Sequence, residues 1–269
     1  MIDCAHCAAL GCLMCADPAD KLALTARMQS DWIAGKLASK SACPNCAVVA
    51  IAIPGRPDRP RLVPPRLVAS RGIGSPEGRA ALVHAVAHIE FNAINLACDA
   101  VYRFRGLPAE FYADWIAVAA DEARHFAMLQ QRLTQLGSHY GALDAHDGLW
   151  QMAVATAHDA LVRMALVPRV LEARGLDVTP GMIERLRSAG DSKTVDCLET
   201  ILSEEIAHVA AGTHWFRYLC EQRGLDPDAT FLALIDLHAR GIVRAPFNES
   251  ARQRAGFTPT EIDALNRFS

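Results

Sequence analysis

Two acid–histidine motifs that helical periodicity places among apolar residues constrain this chain more than any other feature. They are Asp121-Glu122-Ala123-Arg124-His125 and Glu204-Glu205-Ile206-Ala207-His208. Each contains a Glu-x-x-His, and at i,i+3 on a helix two side chains project about 60° apart, close enough to reach one ion. On a solvated face that spacing says little. Here the positions at helical spacing around Glu122 are Trp115, Val118, Ala119, Phe126 and Leu129. Around Glu205 they are Leu198, Ile201, Leu202, Val209, Gly212 and Phe216. A carboxylate turned into such a stripe costs on the order of several kcal/mol unless it is paired or ligated. A metal ion meets that need at both motifs, with buried salt bridges as the bland alternative.

Each motif is preceded by one core-facing acid. Glu90 lies on the stripe Val83, Val86, Ala87, Ala93, Ile94 and Ala97, and Glu172 follows Leu161, Val162, Ala165 and Pro168. Glu90 stands 32 residues before Glu122, and Glu172 stands 33 before Glu205. The chain therefore reads as two helix pairs, each giving one Glu and then one Glu-x-x-His. Four carboxylates and two imidazoles from four helices are the donor set of a two-metal carboxylate bundle. The predicted ligands are Glu90, Glu122, His125, Glu172, Glu205 and His208. Asp159 is the other acid of the third helix and competes with Glu172 if that helix breaks at Pro168. Asp121 and Glu204, each four residues before its histidine, are candidates to accept an imidazole N–H from behind the metal. Arg124 is a third candidate at this outer position, with an ion pair to Asp121 as its plainer role.

Around this centre the chain divides into a Cys-rich segment (1–50), a Pro/Arg-rich strap (51–75), a four-helix region (76–224) and a helical tail (225–269). The first segment holds one expected helix, about Pro18 to Leu37, opened by Asp17 as N-cap and proline at the first helical position. Prolines recurring from Pro54 to Pro76 forbid a regular helix or a central strand. The strap is expected to run extended over the surface, or to form an Arg-lined lip over a pocket. Four long helices follow: from Ser75-Pro76-Glu77 to Phe104, from Pro108 to Leu136 with a stop at Gly137, from about Leu149 to Arg174 before Gly175, and from between Gly181 and Asp191 to near Gly224. Tyr140, His146 and Trp150 on the crossover loop are expected to pin it, and His88 to play a structural part. One or two short helices are expected in the tail, near Asp228–Arg240 and Pro259–Phe268.

Half of the residues are hydrophobic and 6% are aromatic, a balance that favours helices around a sizeable core. The net charge of −3 argues against a nucleic-acid or anionic-membrane partner. The Arg cluster at 56–71 alone keeps a tRNA substrate open. No apolar run reaches the roughly 18 residues of a membrane span, and no basic-then-apolar leader opens the chain. A cytoplasmic location is expected, so the nine cysteines read as thiols or metal ligands rather than disulfides. Six form Cys-x-x-Cys pairs, Cys4/Cys7, Cys12/Cys15 and Cys43/Cys46, and two such pairs suffice for a structural zinc. Ordinary thiols and a redox or iron–sulfur role are the alternatives. Cys98, Cys197 and Cys220 read as small core residues.

The runs HAVAHIEFNAINLACD, DEARHF, YGALDAHDGLW, RMALVPRVLEARGLDVTP and EEIAHVAAGTHWF resemble the ferritin-like family known as domain of unknown function 455. The likeness covers about residues 52–255. The Glu-Ala-Arg at Glu172 also looks like the third-helix motif of tRNA 2-methylthio-isopentenyladenosine hydroxylases, which are di-iron enzymes. The resemblance implies an all-α, ferritin-like four-helix bundle with extra N- and C-terminal segments, and it supports Glu172 as a ligand. By analogy it implies two iron ions, with manganese open, O₂ as co-substrate, a small organic substrate and a separate electron donor. Ferroxidase or iron handling, and a non-catalytic di-metal module, remain the alternatives.

Overall fold

Side-chain caps and left-handed glycines set the helix boundaries, and the resulting fold is all-α. The computed structural model describes residues 3–39, 47–69 and 72–268. About 70% of it is helical, with one two-stranded parallel ladder, Asp3–Cys4 beside Leu37–Ala38. The chain forms two compact units, Met1–Val154 and Ala155–Ser269.

The first unit opens with α1 (Ala5–Met14), a helix that the cysteine pattern hides from sequence reading. Its last carbonyls are capped by a fully buried lysine. Lys21 Nζ donates to Cys12 O at 2.7 Å, Leu13 O at 3.2 Å and Asn95 Oδ1 at 2.7 Å. All three ammonium donors are thereby used. The expected second helix, α2 (Pro18–Ile33), is capped by Asp17 and stops short of Leu37 because Gly35 turns the chain at φ +68°.

The strap is irregular apart from a single 3-10 turn at Pro65–Leu67, and it is firmly pinned. Gly55 N donates to Leu13 O, Trp150 Nε1 donates to Ala52 O, and Leu62 pairs with Ala145. Arg61 is bidentate to Asp144. The cleft beneath, lined by Arg56, His88, Tyr140 and Asp147, has a volume of only ≈ 10 Å³, room for about one water. The crossover loop is tied down as expected, with His88 bonded to the Tyr140 hydroxyl and the His146 carbonyl.

The helical hairpin of α3 (Pro76–Arg103) and α4 (Ala109–Gln135) forms the core of this unit. Among the described residues α3 alone is long and apolar enough to cross a bilayer. Its most apolar window is 78% buried within the protein, as in a core helix. The unit closes on α5 (Gly148–Ala155), which runs up to the unit boundary.

The second unit corrects the expected third helix. The chain breaks at residues 156–159, where Asp159 accepts from Leu161 N as an N-cap and pairs with Arg223. Asp159 is therefore committed to a cap and an ion pair, which removes it as a rival to Glu172. Helix α6 (Ala160–Leu166) passes into a π-helical segment, Val167–Glu172, and then into α7 (Ala173–Ser188). Gly175 does not end the helix. A helical glycine costs only about 1 kcal/mol, and the buried positions Ala173, Leu176, Ile183 and Leu186 carry the period past it. Pro180 lies further inside α7 and deprives the Leu176 carbonyl of its donor, and Asn248 Nδ2 supplies one at 3.2 Å. The fourth expected helix is α8 (Ser192–Gln222), capped by Asp191. The tail holds α9 (Pro227–His238), α10 (Glu249–Arg254) and α11 (Pro259–Phe268), three helices where one or two are expected.

Candidate metal centre

In the first unit the hairpin brings three predicted ligands together. Glu90 on α3 and Glu122 and His125 on α4 offer ligand atoms within 4.8 Å of one another. His125 Nδ1 lies 3.2 Å from Glu90 Oε2 and 3.4 Å from Glu122 Oε2. All three are buried, at 5%, 1% and 0% exposure. The helices explain the geometry, since Glu122 and His125 are one turn apart on the stripe that α4 buries against α3.

Burial and then the neighbouring Glu122 carboxylate push the Glu90 pKa well above the usual carboxylate range. Burial alone would lower that of His125, but Glu122 and Glu90 outweigh it and raise the ring to about 10. Two carboxylates and a protonated imidazole in a dry core form a site with an excess of acceptors. A divalent cation neutralises that excess better than one proton does. Carboxylate and imidazole are both donors that divalent metal ions accept, so the residues present fit a metal ion.

In the second unit Glu205 and His208 sit one turn apart on the buried face of α8, with His208 Nδ1 3.1 Å from Glu205 Oε2. Glu172 is buried as well, at the last position of the π-helical segment. Among the described residues Glu172, Glu205 and His208 do not close to within 4.8 Å of one another as a trio. Asp121 and Arg124 pair with each other at 2.7 Å on a solvent-facing flank, and Glu204 is half-buried.

The N-terminal cysteines divide. Cys4 and Cys12 are buried, Cys7 and Cys15 are half-buried, and Cys43 and Cys46 lie outside the described residues, as does any zinc site built on them. Cys98 and Cys220 are core residues as expected, and Cys197 is half-buried.

Sequence reading misses several fully buried charged residues. Lys21, Arg169 and Glu261 are each 0% exposed, yet isolated charges in a sequence read as surface. One signal was available for Glu261. Thr258-Pro259-Thr260-Glu261 is a capping-box pattern, and Glu261 Oε2 accepts from Thr258 N at 2.9 Å.

Residues 14–263 match the model of a family described as "Protein of unknown function (DUF455)". This range is wider than the expected 52–255 and takes in Cys15, Cys43 and Cys46. An uncharacterized protein of Haemophilus influenzae is 47% identical over 214 residues, 77% of this chain and 74% of that protein. No solved structure matches the chain.

Proposed function

The chain belongs to the DUF455 family, and from that premise we propose that it is a ferritin-like two-metal carboxylate protein that activates O₂ for oxidation of a small organic substrate. Glu90, Glu122, His125, Glu172, Glu205 and His208 would hold two iron ions, with manganese as the alternative metal. The buried trio of Glu90, Glu122 and His125 carries the reading. Two carboxylates and an imidazole, mutually within 4.8 Å and shielded from water, have no better electrostatic remedy than a cation. The matching order of Glu and Glu-x-x-His in the second half supplies the rest.

When bound, the metal pair would supply the electron transfer to O₂ that no side chain provides. The protein's own contribution is positional. The four carboxylates would hold the ions and supply the negative charge that balances them. The apolar stripes of α3, α4 and α8 exclude water. Hydroxylation of a C–H bond consumes O₂, two electrons and two protons and yields an alcohol and water. The electrons would come from a separate donor. The reading includes a cytoplasmic location and no membrane partner, with tRNA the one nucleic-acid substrate left open.

Metal analysis of the purified protein, with anomalous scattering from crystals, tests it. Two iron or manganese ions per chain at the six residues are expected, with an absorption change when O₂ meets the ferrous protein. A large spherical assembly that accumulates ferric iron would favour storage instead. Metal-free protein that stays metal-free after anaerobic ferrous loading would sink the reading.

A further inference from the structure

Glu172 stands at the end of a wide turn, and two contacts from distant parts of the chain shape that turn. The first is steric. Pro168 packs on Gly212 of α8 so closely that a Cβ there would lie 2.3 Å from the Pro168 ring carbons. Gly212 is one helical turn after His208 and two after Glu205, so it shares their face. The turn is therefore seated on the stripe that carries the two α8 ligands.

The second contact is ionic and comes from the tail. Arg169, next to Pro168, donates from Nη2 to Glu261 Oε1 at 2.7 Å and from Nε to Thr213 Oγ1 at 3.3 Å. Its guanidinium carbon lies 4.7, 3.9 and 4.5 Å from the ring centres of Phe216, Phe231 and Phe257. Both ion-pair partners are 0% exposed. Glu261 is fixed in turn by the capping box of α11, where Thr258 Oγ1 accepts from Glu261 N at 3.1 Å.

A buried ion pair is a poor way to hold a tail in place. Apolar residues of the same volume often do as well or better, because the charges must be stripped of water. What an Arg–carboxylate pair adds is fixed distance and orientation through a planar fork. Here the fork is anchored three residues before Glu172, in a turn whose π geometry leaves the register of the following carboxylate to be set by its surroundings.

We propose that Arg169 and Glu261 are positioning residues. Through them the C-terminal segment holds the Val167–Glu172 turn so that the Glu172 carboxylate is presented for metal binding together with Glu205 and His208. The inference rests on Glu172 being a ligand, as proposed above. It makes one of the two metals dependent on a residue far from the helices that supply the ligands.

The test compares Mn(II) binding by the wild-type chain, Glu261→Gln and the double variant Arg169→Met/Glu261→Gln. Glutamine keeps the capping-box acceptor. The double variant removes both charges, leaves no buried ion and is expected to fold with wild-type helicity and melting temperature. Titration and electron paramagnetic resonance should find two coupled Mn(II) ions in the wild type. The double variant should retain one ion with the spectrum of an isolated Mn(II), the other weakened about 10–100-fold, as for supporting partners of metal ligands generally. Amide exchange at residues 170–173 should be faster in the metal-free double variant than in the metal-free wild type. A double variant that binds two coupled ions with wild-type affinity overturns the positioning role, and so does equal weakening of both ions. A wild type that binds no metal overturns the two-metal reading, and this inference with it.

Discussion

The Glu122 carboxylate makes Glu90 harder to ionise, and His125 carries the proton that offsets them in the metal-free core. Removing one carboxylate should therefore harm metal binding far more than folding. Glu122→Ala is expected to keep wild-type helicity and metal-free stability to within about 1 kcal/mol, because it also removes a like-charge conflict. Its metal affinity should fall by more than the roughly 10–100-fold typical of outer partners. Retention of full metal content in this variant would remove Glu122 from the site. His84 poses a separate residue-scale problem. It is buried, accepts from Gly141 N at 3.0 Å, and burial pushes its pKa down to about 4, with a smaller contribution from His139. The unfolded chain then binds more protons than the fold between about pH 6.5 and 4. The stability that His84 contributes is complete above that window and is lost as pH falls through it. His84→Gln keeps an acceptor for Gly141 but cannot titrate. Its urea midpoint should gain on the wild type as pH drops from 7 to 4.5, and a constant difference would rule out the linkage. The buried acids and histidines were legible because Glu122, His125, Glu205 and His208 share two short motifs on apolar stripes. Lys21 and Arg169 were not, because their burial depends on acceptors 74 and 92 residues away, which local pattern cannot see.

The third helical element shows where period reading fails. Its apolar positions are continuous, so the sequence suggests one helix stopped by glycine. The observed path is a break capped by Asp159, a π-helical turn at Pro168, and a helix that ignores Gly175. Proline accounts for the wide turn, since it cannot donate to the carbonyl four residues back and its ring crowds that carbonyl. The two kinds of helical glycine can be told apart by substitution. Gly212→Ala must separate α8 from Pro168 and should cost about 1–3 kcal/mol in urea unfolding. Gly181 in α7 faces open space, and Gly181→Ala should stabilise by about 0.5–1 kcal/mol. Equal effects at the two positions would show that the contact with Pro168 carries no energetic weight. Two caps were readable, Ser75 and Asp17, which accept from the first-turn amides of the helices they open; Asp191 does the same for α8, whose start the sequence left between Gly181 and Asp191.

At the scale of the whole molecule, the six proposed ligands divide evenly between the two units, three in residues 1–154 and three in 155–269. Metal held by all six, as proposed, would stabilise residues of each unit. At free metal 100-fold above its Kd the gain is about 2.7 kcal/mol. Hydrogen exchange with and without Mn(II) should show protection lost from both units on chelation. Loss confined to one unit would argue for a single-metal site in the Glu90 hairpin. The all-α class and the order of the long helices were legible from composition and periodicity. The bracing of the second unit by its tail was not, because Arg169–Glu261 and Arg252–Asp177 join residues remote in sequence.

The proline-rich strap looks like a linker in composition, and an experimenter designing a shorter chain would be tempted to start at Ser75. That cut would take more than a linker. It would strip Trp150 of its carbonyl partner, Ala145 of its ladder and Asn95 of the ammonium on its oxygen, on the same helix that carries Glu90. The minimal fragment for expression therefore begins upstream of α1, and a shortened chain that fails to bind metal would say nothing about the ligands.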